Sequence, residues 1–64
     1  MSDAVKTAIV IGGETPEACE SDPERLVIAY ERVCMMLANE PLDQHELGYH
    51  YGTLRKEIVR RMTR

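Results

Sequence analysis

Residues 21–47, SDPERLVIAYERVCMMLANEPLDQHEL, decide how this chain folds. Ser21-Asp22-Pro23-Glu24 and Asp43-Gln44-His45-Glu46 each place a capping oxygen three residues ahead of a Glu. That spacing lets side chains satisfy the unpaired amides of a helix N-terminus. Pro41 stands between them. The residue before a proline resists helical backbone, so the first helix must stop there. The pattern predicts two helices, over about 23–38 and about 44–62, folded back on each other. A connection this short makes them antiparallel neighbours.

Each helix carries an apolar stripe. Leu26, Tyr30, Val33 and Leu37 recur at i, i+4, i+7 and i+11, flanked by Val27, Ile28, Cys34 and Met35. Leu47, Tyr51, Leu54, Ile58 and Met62 repeat the pattern in the second helix. Leu42 and Leu47 have the spacing of a hydrophobic staple around the Asp43 cap. The first stripe is broader than one neighbouring helix can cover, which fits either a dimer or burial under the N-terminal arm. Leu26, Tyr30, Val33, Leu37, Leu47, Leu54 and Ile58, with Gly48 and Gly52, are therefore expected in the core or at a dimer seam. The two glycines weaken the helix but leave one side bare for another backbone.

Upstream, residues 1–20 read as an arm. Val5, Thr7, Ile9 and Ile11 alternate, and Gly12-Gly13 closes the run, so 4–11 is expected to be a short strand. A single strand is not stable alone. It must pair with its copy, add to a partner's sheet, or pack as an extended arm. Gly12–Glu20 is an acidic linker in which Thr15-Pro16-Glu17 has the order of a helix start. The expected fold is mainly α: a two-helix antiparallel hairpin (21–64) with an extended N-terminal arm, dimerising into a four-helix arrangement.

Composition sets bounds. Sixty-four residues make one domain at most, and a chain of this size hides only about 60% of its unfolded surface. Small helical chains commonly complete a core by association. The net charge of −3 is unevenly spread. Residues 1–48 carry ten acids and three bases; residues 49–64 carry only Glu57 against Arg55, Lys56, Arg60, Arg61 and Arg64. Glu57 is spaced to pair with Arg61. Cys34 lies in an apolar run and reads as buried. Cys19 lies in a polar stretch and reads as a free thiol. Two cysteines make no disulfide framework. Neither a signal peptide nor a run of the ~20 apolar residues that span a bilayer is visible, so a cytoplasmic location is expected.

No catalytic arrangement, cofactor site or metal site can be assembled. His45, Glu46 and His50 suggest a zinc helix, but the histidines are five apart and diverge. His50 reads as a surface residue. Ile9-Val10-Ile11-Gly12-Gly13 lacks the third glycine and the lysine of nucleotide-binding loops. The function expected is a small non-enzymatic regulator or adaptor binding another protein through helix surfaces. Contacts would come from Tyr49, Tyr51, Arg55, Lys56 and Arg60, since Tyr and Arg are enriched at interface hot spots.

The alternative is a DNA-binding transcription regulator using Lys6 and the basic helix. Strand, helix, helix is the order of ribbon–helix–helix repressors. Only Lys6 and Thr7 would read DNA from that strand, however, and residues 12–22 are too long and acidic for a direct strand-to-helix step. The acidity of the whole domain also weighs against nucleic acid.

Overall fold

The computed structural model describes residues 1–39 and 44–63. They form four helices: α1 (Asp3–Ile11), α2 (Pro16–Ser21), α3 (Pro23–Asn39) and α4 (Gln44–Met62). No strand occurs among the described residues, and no helix is long and apolar enough to cross a membrane.

The N-terminal segment corrects the strand expectation: it is α1. Its residues satisfy two periods at once. Read in steps of two they alternate. Read helically, Val5, Ala8 and Ile9 fall at i, i+3 and i+4, and all three are buried. A lone strand would leave its backbone amides unpaired, whereas a helix satisfies its own. Ser2 caps it, its Oγ accepting from the Val5 amide at 3.3 Å. Gly12 and Gly13 close it. Gly13 has φ +81°, its amide donates to Val10 O at 2.9 Å, and the Glu14 amide donates to Ile9 O at 3.1 Å. Those two bonds around a left-handed residue are the Schellman ending of a helix.

The acidic linker contains one turn and a half of helix. Thr15 accepts from the Ala18 amide at 3.3 Å and Pro16 opens α2. The start of α3 shifts by one residue from the expected cap. Asp22, not Ser21, supplies the oxygen, its Oδ1 accepting from the Glu24 amide at 3.0 Å. Ser21 ends α2 instead, donating its hydroxyl back to Glu17 O at 3.2 Å. The second cap at Asp43, the Leu42 staple and the Pro41 stop lie outside the described residues.

Helices α3 and α4 run antiparallel. Gln44 Nε2 reaches Leu37 O at 2.8 Å, and about two turns further along each helix Tyr30 meets Tyr51. The core draws on all four helices: Val5, Ala8 and Ile9 from α1, Cys19 from α2, Leu26, Ala29 and Val33 from α3, Leu54 from α4. Helix α1 packs on both α3 and α4. Part of the broad apolar arc of α3 is thus covered within the chain by the N-terminal segment, one of the two outcomes its breadth allows. Of the expected core residues, Leu26, Val33, Leu47 and Leu54 are buried; Tyr30, Leu37 and Ile58 are half-buried.

Close backbone approach occurs at Gly12. A Cβ there would stand 2.6 Å from Ala29 O and 2.8 Å from Ala29 Cα, so α1 ends pressed against the α3 backbone. At Gly48 and Gly52 a Cβ would meet nothing within 4 Å. Within the chain, these two glycines make no tight crossing.

Candidate interaction surface

Helix α4 has two faces of different chemistry. Leu47, His50, Leu54, Glu57 and Arg61 follow i, i+3, i+7, i+10, i+14 and turn inward. Leu47, His50, Leu54 and Glu57 are buried. Tyr49, Arg55, Lys56, Val59 and Arg60 are exposed, with Tyr49 at 61% and Val59 at 49%.

The inward face holds a polar lock. Glu57 accepts from Arg61 Nε at 2.9 Å and from Arg60 Nε at 3.1 Å, with a further bond from Arg60 Nη2. Arg61 also donates through Nη1 to Cys19 O at 2.9 Å, tying α4 to α2. The Arg60 hydrogen bonds hold the Glu57 carboxyl below the usual carboxylate range; burial opposes this and Arg61 adds to it. The pairing of Glu57 with Arg61 is as the spacing predicts, and Arg60 shares the same carboxylate.

Three residues stand elsewhere than their neighbours in sequence suggest. Cys34 is exposed where its apolar run suggests burial. Cys19 is a free thiol as expected, but fully buried despite its polar stretch. Burial pushes the Cys19 thiol up from its ordinary value, with the Glu14 charge adding. Six-residue α2 sinks only Cys19 into the core, while Cys34 falls on the flank of α3 beyond Tyr30. His50 is buried at 5% exposure, not a surface residue, and neither ring nitrogen has a hydrogen-bond partner. Its nearest acid is Glu46, with Oε1 3.6 Å from Nε2. Its place three residues after Leu47 and four before Leu54 is the signal that locates it.

Tyr51, a candidate contact residue whose stripe position also suggests core, belongs to the seam between α3 and α4, which leaves Tyr49 as the exposed tyrosine of α4. The Tyr30 hydroxyl donates to that of Tyr51 at 2.9 Å, and the rings stack with centroids 5.0 Å apart. That hydrogen bond, then burial, raises the Tyr30 hydroxyl above its ordinary value.

The outward face is cationic and partly apolar. The acids of α4 are Glu46 in its first turn and Glu57 on the inner side. Among the described residues, Arg55 and Lys56 have no carboxylate within ion-pair distance, whereas Arg60 is held by Glu57. Gly52, Arg55, Lys56, Val59 and Arg60 line a shallow depression whose floor is the missing side chain of Gly52. On the opposite flank of the molecule, Arg25 and Arg32 are both turned to Glu14, Arg32 at 2.7 Å, so those bases are locally neutralised. Among the described residues, no group of three or more His, Cys, Asp or Glu side chains is placed to hold a metal ion.

No family model, no curated protein and no solved structure matches the chain.

Proposed function

We propose that this chain is a small non-enzymatic regulator or adaptor that acts in the cytoplasm by binding another protein through the outer surface of α4. The observation that carries this reading is the pair Arg55 and Lys56, exposed and with no carboxylate within ion-pair distance among the described residues, beside exposed Val59 and Tyr49. Cations mixed with apolar and aromatic surface suit a protein partner with an acidic rim, since Tyr and Arg anchors carry most interface energy. Two unbridged cysteines fit a reducing compartment. The same reading includes self-association into a four-helix arrangement, supported by the open side of α4 at Gly48 and Gly52.

The second reading, a DNA-binding regulator, draws on the same cations. Its ribbon–helix–helix form loses its basis because residues 3–11 are helical. A basic-helix form remains the rival.

Capture of partners from the native host with wild-type protein and with a Tyr49→Ala, Lys56→Glu variant tests the proposal. A protein retained by the wild type and lost by the variant, with retention surviving moderate salt, is the expected result. Retardation of random duplex DNA at low salt, falling steeply as salt rises, would favour the rival instead.

A further inference from the structure

The geometry points to a specific self-pairing: two copies meet through the α3/α4 surface turned away from α1, with α3 of each copy lying on α4 of the other. This rests on the self-association part of the proposed function and names its seam.

The Tyr30–Tyr51 contact marks the line where α3 and α4 meet. Helix α1 lies on one flank of that line, because Gly12 presses on Ala29 and Arg32 Nη1 donates to the carbonyls of Gly12 and Gly13, both at 3.3 Å. Ala29 and Arg32 therefore mark the α1 side of α3. On the other flank, beyond Tyr30, Val27, Glu31, Cys34 and Ala38 recur at i, i+4, i+7 and i+11 and are all exposed. Beyond Tyr51, Gly48, Gly52, Arg55, Val59 and Met62 recur at i, i+4, i+7, i+11 and i+14. Together the two stripes make one face. Val27, Val59 and Met62 supply exposed apolar surface on it.

Three features make this face complementary to itself. The glycines weaken the helix and gain no contact in return within the chain, yet they let another helix approach the α4 backbone closely. Cys34 and Ala38 on the other stripe are small enough to enter that space. On this face the charges are split by helix. Helix α3 presents exposed Glu24 and Glu31, its Arg25 and Arg32 being turned to Glu14. Helix α4 presents exposed Arg55 and Lys56, which have no acidic partner among the described residues, its Glu46 lying against His50. Only one arrangement uses this split. Setting α4 on α4 would oppose Arg55 and Lys56 to their own copies, and α3 on α3 would do the same to the glutamates. A two-fold axis parallel to the helices puts α3 over the second copy's α4, acid to base twice over, and an isologous contact of this kind closes at two subunits. It also leaves Tyr49 and Lys56 at the edge of the seam, where an outside partner can still reach them.

Sedimentation equilibrium of the full chain tests this, with the fold of each variant checked by circular dichroism. The wild type is expected at twice its 7.3 kDa mass. Glu24→Arg alone and Arg55→Glu alone should each weaken pairing by roughly tenfold or more, since Glu24 lies nearest the level of Arg55 in this register and each change sets like charges together twice. An equimolar mixture of these two variants should pair again, because in the mixed dimer both contacts join opposite charges. Repair of a contact within one chain could not produce that recovery. Gly52→Leu should abolish pairing while raising helix content. A 7.3 kDa species at millimolar protein overturns the proposal. So does a dimer indifferent to both charge reversals, or one that the mixture fails to restore. Failure here, with partner capture still lost in the Tyr49→Ala, Lys56→Glu variant, would leave the outside-partner reading standing alone.

Discussion

Gly12 and Gly52 show the same residue under opposite constraints. Gly12 ends α1 with its missing side chain replaced by the backbone of Ala29, 2.6 Å from where a Cβ would be. Gly52 sits in the middle of α4 with open space in the same position. One glycine is required by the packing of the chain on itself. The other costs the isolated chain helix stability and has no internal contact that explains it. A glycine in an amphipathic helix is thus informative only once its surroundings are known.

The largest effect expected is at the first site. Gly12→Ala forces α1 away from α3 and should destabilise the chain by roughly 1–3 kcal/mol, read by urea denaturation. In a domain with so small a core, that is a large share of total stability. Wild-type stability after this change would mean that α1 does not seat on Ala29.

Next comes the lock on α4. Glu57→Gln leaves Arg61 half-buried without its carboxylate and should cost about 1–3 kcal/mol. Its pH signature has a definite sign. A carboxyl whose folded pKa is depressed adds stability above its unfolded value, near 4.5, and loses it as pH falls through the lower folded value. The wild type should therefore weaken progressively below about pH 4.5, and Glu57→Gln should flatten that part of the curve. Equal slopes in the two proteins would remove Glu57 as the source.

Gly52→Ala should move stability the other way. With nothing to strike, the methyl group should stabilise the monomer by roughly 0.5–1 kcal/mol through helix propensity. Measured at concentrations where only monomer is present, a loss of stability would contradict the open geometry around Gly52. The smallest effect concerns the short helix: Thr15→Ala removes the α2 cap and should cost roughly 0.5–1 kcal/mol. Because α2 carries buried Cys19, that variant should also speed alkylation of Cys19 relative to exposed Cys34, measured by mass spectrometry.

The two long helices were legible in the sequence because each carries an apolar stripe of helical period, over residues 26–33 and 47–58, and a capping residue stands at or next to the start of the first. The first helix was not, and the reason is local. Val5, Thr7, Ile9 and Ile11 are all β-branched and alternate, and Gly12-Gly13 ends a strand or a helix equally well. What decides is the availability of a groove: α3 and α4 present apolar surface that Val5, Ala8 and Ile9 can cover only from a helix. The burial of Cys19 and the exposure of Cys34 were hidden for the same reason, since each depends on where α1 and α2 settle. His50 and Glu57, in contrast, share the i, i+7 spacing of the buried α4 stripe, and their polarity concealed a readable position. On the surface, Tyr49, Arg55, Lys56 and Arg60 are exposed, while Tyr51 is taken by the stack with Tyr30.

The most direct measurement is a nuclear magnetic resonance spectrum of the labelled protein, read over residues 3–12. If the first helix completes the core within one chain, Val5–Ile9 will show helical Cα shifts and Gly12 will give Overhauser contacts to the Ala29 methyl group. Extended-backbone shifts over Val5–Ile11, with no contact between Gly12 and Ala29, would contradict it.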